Sequence, residues 1–325
     1  MASYADITQT LVDTARSRED LLPIRAEECR SLLQFQPPKH PVCLLFHGFT
    51  AAPFQWQAAA ESLFQAGYNI VAPRLPGHAQ AGTWWQGNPP PLPTQVEDYE
   101  RFALAWIQQA QAISDRVIVA GLGAGATLAA WLALEQVHAI DRAILIDPYL
   151  GQSRQVVDLF VRSIASYCEW LEPEPPVYPT GYSGFALRTL QPLLQMGETV
   201  MQQVQQVPIA PVFLISSGLG DDETRQCFDF AVRSQPRSWY CRFEQLDELP
   251  HKMLTLADSD NYQTLLAAIV RSFNESELTG SELQGIVDRT RQGETVAKAI
   301  GSLNLGDRAS GQLAALFTPK STSRK

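Results

Sequence analysis

Six short apolar runs punctuate the chain: Pro41–Phe46, Asn69–Ala72, Arg116–Ala120, Arg142–Asp147, Pro211–Ser216 and Ser238–Phe243. They are nearly continuous rather than alternating, and Gly, Pro or Asp bounds most of them. That pattern predicts strands buried on both faces, as in a parallel sheet. Between them the apolar positions recur at helical spacing. A helix is expected from Pro53 to about Ala66, and another over Thr94–Ala112 with Val96, Tyr99, Phe102, Ala103, Trp106 and Ile107 on one side. Strand and helix in turn predict the α/β class, a mostly parallel sheet covered by helices on both faces.

The flanks and one insertion follow a different rhythm. Residues 4–16 carry Ile7, Leu11 and Ala15 at helical spacing, so 1–40 is expected to be a leading helical segment. Between the strand ending at Asp147 and that starting at Pro211, Val156, Phe160, Ile164, Cys168 and Leu171 share one helical stripe, predicting an amphipathic helix over 153–172. A proline-rich break leads to a second helical stretch at 184–206. The main domain is therefore expected over 41–275, with an insertion at about 150–208. Beyond it, 276–325 offers short helical pieces around Leu283, Val296 and Leu313 and a basic end at Lys320, Arg324 and Lys325.

The third run opens the stretch 116–134, where it meets Gly121-Leu122-Gly123-Ala124-Gly125 and then a run of good helix formers. A strand, a tight glycine turn and a helix bring backbone N–H groups together at a helix N-terminus, where positive partial charge is fixed. Two chemistries use such a turn: G-x-S-x-G, which carries a nucleophilic serine, and G-x-G-x-x-G/A, which holds a dinucleotide pyrophosphate. Here the frame of the first is present with Gly123 in the serine position. Gly121-x-Gly123-x-x-Ala126, with Asp147 ending the next strand as the ribose-binding acid would, fits the second.

Composition narrows the field. At 325 residues, 45% hydrophobic and 18% charged, the chain suits a globular fold with a full core. A net charge of −9 argues against a general binder of nucleic acid or anionic membrane. The five cysteines are scattered without a C-x-x-C pair, which speaks against a disulfide framework and against a metal site. Val117–Leu134 lacks charge, but its central glycines fit a buried βα unit better than a membrane span. With neither a basic n-region nor an apolar h-region at the N-terminus, the expected location is the cytoplasm.

His47-Gly48-Phe49-Thr50-Ala51-Ala52-Pro53, Gly67-Tyr68 and Ala72-Pro-Arg-Leu-Pro-Gly-His78 resemble the opening of the carboxylesterase and monoacylglycerol-lipase branch of the α/β-hydrolases. The resemblance covers about 41–273. It implies an α/β-hydrolase fold, with the insertion as a helical cap. It maps the oxyanion-hole N–H groups to Phe49 and Ala124, the triad acid to Asp221, with Asp222 as the alternative, and the histidine to His251. Trp84 and Trp85 read either as a packed loop anchor or as an aromatic rim on the substrate entrance. Gly181-Tyr-Ser-Gly-Phe185 is not a second elbow, because no buried strand precedes Ser183 and the fifth residue is Phe. The elbow alone also resembles that of the N-myc downstream-regulated proteins, which share the fold without accepted hydrolase activity.

Glycine at position 123 has no side chain to attack with. Losing the nucleophile of a triad leaves about 10³–10⁴-fold acceleration over water, from binding and the oxyanion hole. The expectation is a hydrolase-like protein that does not hydrolyse esters and binds a small acyl or carboxylate ligand, or a protein partner, without a cofactor. An active esterase using water or an unconventional nucleophile with Asp221 and His251 is the second reading. A dinucleotide-binding protein is the third.

Overall fold

A computed structural model of the protein describes residues 3–151, 167–169, 181–216 and 221–242, together with 273, 285, 288–289, 292–294 and 298–299. The chain divides into two compact units, Met1–Thr255 and Leu256–Lys325.

The first unit is built on a sheet that has seven strands among the described residues. Its strands are β1 (Leu32–Gln34), β2 (Val42–Phe46), β3 (Asn69–Ala72), β4 (Val117–Leu122), β5 (Arg142–Ile146), β8 (Val212–Ser216) and β9 (Trp239–Arg242), in the order β1-β3-β2-β4-β5-β8-β9. All neighbours run parallel except β1, which lies antiparallel to β3. The strands β2, β3, β4, β5 and β8 are buried along their whole length, which is why their sequences are apolar apart from Asn69, Arg142 and Ser216 at strand ends. Each Leu, Ile, Val or Phe so buried contributes about 1.5–3 kcal/mol.

Among the described residues the helices of this unit are α1 (Tyr4–Asp20), α2 (Gln57–Gln65), α3 (Val96–Ile113), α4 (Ala124–Glu135), α5 (Gln191–Gln203) and α6 (Asp221–Ser234). A capping box between Ser3 and Asp6 starts α1. In α4 every residue from Ala124 to Leu134 is buried, so this helix has no polar face to show in its sequence. The chain steps from β2 out to β3, then returns to the far side of β2 as β4. The topological switch thus falls between β2 and β4, where sheets of this class open a crevice at the strands' carboxyl ends.

Two expectations need correction. The leading segment is not purely helical: Leu32, Leu33 and Gln34 pair with Ala72, Val71 and Ile70 and extend the sheet. Tyr167–Glu169, expected to continue a helix, is a strand (β6) paired antiparallel with β7 (Gly184–Ala186). Its side chains fit a pleat once a partner strand is present. The second helical stretch accordingly starts at Gln191 rather than 184. The remainder of the expected 153–172 helix lies outside the described residues.

In the second unit the backbone is helical at 285, 288–289 and 298–299, within the first two expected helical pieces. Phe273 and Ala299 are buried, and Lys298 pairs with Glu294 at 3.7 Å. The piece around Leu313 lies outside the described residues. Among the described residues no helix is long and apolar enough to cross a membrane.

Candidate active site

The carboxyl ends of β2 and β4 meet because Phe46 stands opposite Gly121 in their parallel register. The chain then turns at Gly123, with φ 53° and ψ −115°, and enters α4 at Ala124. An L-residue with a side chain is strained there and glycine is not. The flanking glycines answer a separate demand. A Cβ on Gly121 would overlap the carbonyl of Gly125, and one on Gly125 would overlap the carbonyls of Phe46 and His47. The first turn of α4 therefore presses directly on the end of β2. Gly123 N–H donates to the Ile146 carbonyl at 2.8 Å, and its own carbonyl accepts from Thr127 N–H at 3.0 Å.

Beside the turn runs the loop after β2. Gly48 N–H donates to Gln55 Oε1 at 2.7 Å, which fixes the loop's first bend. The next N–H, that of Phe49, has no hydrogen-bond partner among the described residues, and neither does that of Ala124. Both residues are buried, at 6% and 1% exposure. Buried N–H groups are nearly always paired, so these two stand out among the described residues.

The loop rests on two buried histidines. Leu75 N–H donates to His47 Nε2 at 3.0 Å, so the proton sits on Nδ1, which donates to the Gly48 carbonyl at 2.9 Å. Burial, reinforced by the neighbouring His78, holds the His47 pKa well below its ordinary value. Burial also brings His78 down to about 4. The His78 ring meets His47 edge-on at 5.1 Å and Phe49 at 6.0 Å. Both imidazoles are neutral packing groups at neutral pH and carry no charge into the crevice.

Part of the insertion is tied down over the same loops. Tyr182 N–H donates to the Thr50 carbonyl at 2.9 Å, and its hydroxyl donates to the Gly77 carbonyl at 2.7 Å. Phe185 packs edge-on against Phe49 at 4.9 Å. Trp84 meets Tyr182 edge-on at 6.0 Å and donates from Nε1 to the Gln80 carbonyl, so it anchors its own loop. Trp85 is 58% exposed and bridges through its backbone to Asn88. Ser183 is exposed, just before β7.

On the acid side, Asp221 is the first residue of α6, in the segment that follows β8, and Asp222 is exposed. His251 lies outside the described residues. One residue absent from the sequence reading stands at the elbow: a Cβ on Gly123 would lie 3.3 Å from the Tyr149 hydroxyl oxygen. A lone tyrosine three residues past a strand carries no signal of its own; only the fold brings it there. No group of His, Cys, Asp and Glu able to hold a metal ion occurs among the described residues.

A family model described as alpha/beta hydrolase family matches residues 43–284. The chain belongs to this family. Among curated proteins this family member is 32% identical, over 101 residues, to the thermostable monoacylglycerol lipase of Bacillus sp. (strain H-257). The match takes in 28% of the chain and 34% of that lipase, about a third of its length. Among solved structures it is similar to a structure from work on LipS and LipT, two metagenome-derived lipolytic enzymes, at TM-score 0.60 and 15% identity. That alignment covers 77% of the chain and 98% of the other. The monoacylglycerol lipase of Paleococcus ferrophilus follows at TM-score 0.51 and 15% identity, covering 75% and 99%. At such identities the structures establish the alpha/beta hydrolase fold, and the esterase and lipase character stays with the relatives. In that fold the glycine fingerprint of the dinucleotide reading falls at the turn between β4 and α4.

Proposed function

We propose that this alpha/beta hydrolase-family protein does not hydrolyse esters and instead uses its elbow to bind a small acyl-type ligand. The observation that carries the reading is Gly123: the backbone keeps a positive φ of 53° while the position that would attack a carbonyl has no atom to do so. Phe49 and Ala124 act as the donors of an oxyanion hole, which is supported by their two buried, unpartnered N–H groups. The start of α4 adds favourable partial charge for a carbonyl or carboxylate oxygen. Asp221 and His251 take the acid and histidine positions of the scaffold. The insertion, through Phe185 and Tyr182, supplies apolar wall.

The test is labelling with a fluorophosphonate and turnover of p-nitrophenyl esters. The natural protein is expected to resist labelling and to match a His251→Ala variant in turnover. Turnover that the His251→Ala change abolishes would favour the second reading, in which His251 acts as general base on water.

A further inference from the structure

The space beside Gly123 is bordered by a phenol. A side chain built there would meet Tyr149, with Oη 3.3 Å and Cζ 3.5 Å from its Cβ. Tyr149 is held in this pose from two sides. Its N–H donates to Thr127 Oγ1 at 2.7 Å, and Thr127 sits one turn into α4 with its hydroxyl 3.3 Å from the Gly123 carbonyl. On the other side Gly197 of α5 lies so close to the Tyr149 carbonyl that a Cβ there would overlap it. The Tyr149 hydroxyl itself has no hydrogen-bond partner among the described residues. A phenol O–H thus faces the seat of the absent nucleophile, on the turn from which α4 starts at Ala124.

Three donors, Tyr149 and Ala124 at this turn and Phe49 on the neighbouring loop, favour a ligand rich in acceptors. An ester offers one strong acceptor, its carbonyl oxygen. An ionised carboxylate offers two oxygens, accepts only, and forms the stronger charge-assisted bonds. We infer that the elbow takes its ligand as a free carboxylate, with one oxygen on the Phe49 and Ala124 N–H groups and the other on the Tyr149 hydroxyl. Tyr149 is then the residue that separates acids from esters and amides. This rests on the ligand-binding reading above and adds the class of head group. Burial, with the Asp147 carboxylate adding, pushes the Tyr149 phenol up to about 12, so it remains a donor at neutral pH. Asp147 is the charged group that opposes a bound anion, and the N-terminus of α4 favours one.

The experiment titrates octanoate, octanamide and methyl octanoate into the full chain by calorimetry at neutral pH. Octanoate is expected to bind about tenfold more tightly than octanamide, the ratio set by one charge-assisted hydrogen bond. Tyr149→Phe, its melting temperature checked beside the natural protein, lowers that ratio severalfold while octanamide binds as before. Asp147→Asn, which keeps the shape and tolerates the positive φ of 46°, raises octanoate affinity without changing octanamide. Equal binding of acid and amide by the natural protein, or an unchanged ratio in Tyr149→Phe, overturns the carboxylate assignment and leaves ligand binding standing. Failure of all three probes to bind removes the ligand-binding reading, and this inference with it.

Discussion

Putting a hydroxyl back at position 123 tests the site one side chain at a time. The backbone there has φ 53°, which a side chain tolerates poorly, and the new Cβ would crowd the Tyr149 hydroxyl at 3.3 Å. Gly123→Ser and Gly123→Ala are both expected to lose about 1–3 kcal/mol, read from urea unfolding. The serine variant alone should gain fluorophosphonate labelling; equal behaviour of the two would mean that the acid and histidine positions are not assembled. The histidines set a different prediction. The folded pKa of His78 lies near 4 against an unfolded value of 6.5, so its neutral form is bound into the fold. Its stabilisation is complete above pH 6.5 and is lost as pH falls toward 4, on the order of 3 kcal/mol, with His47 acting in the same direction. The stability gap between pH 7 and pH 4.5 should shrink in His78→Phe, and an unchanged gap would remove His78 from the acid response.

At the level of elements, the elbow is held by contact rather than by hydrogen bonds alone. Gly121→Ala and Gly125→Ala force a methyl into carbonyl oxygens of β2 and α4, which should cost more than about 3 kcal/mol and show as lost soluble yield. Much of this layer was readable in the chain. The apolar runs of β2, β4, β5 and β8 and the helix period of α3 announce themselves because burial on one or both faces dictates residue type. The three-residue strand β1 did not, since Leu32, Leu33 and Gln34 become a strand only through their partners on β3. Tyr167–Glu169 misled for the same reason: its apolar spacing suited a helix, and the decisive neighbour lies beyond residue 180. At the site, Gly123 and the Phe49 loop stood in recognisable motifs. Tyr149 did not, because its role depends on Thr127 and Gly197, which are distant in sequence.

In the molecule as a whole, the first unit extends the family's domain with α1 and β1. Tyr4 donates to the Gln36 carbonyl at 2.8 Å and to Asn69 Oδ1 at 3.1 Å, which fastens the start of α1 beside β3. At its other end Glu19 accepts from Ser31 N–H and Oγ and pairs with Arg74 at 3.6 Å, both side chains being almost fully buried. Glu19→Ala strands the Arg74 charge in the interior and should cost about 3–5 kcal/mol in urea unfolding. A loss below 1 kcal/mol would mean that the leading segment only rests on the sheet. Arg74 in turn donates to the His78 carbonyl at 2.7 Å, so the added segment reaches, through one side chain, the histidine that supports the Phe49 loop. The contact between Gly197 and the Tyr149 carbonyl carries a consequence for exchange of parts. A helix transplanted from another member of the family would have to bring a glycine to this one spot; any bulkier residue would push the tyrosine aside and reshape the chamber it borders.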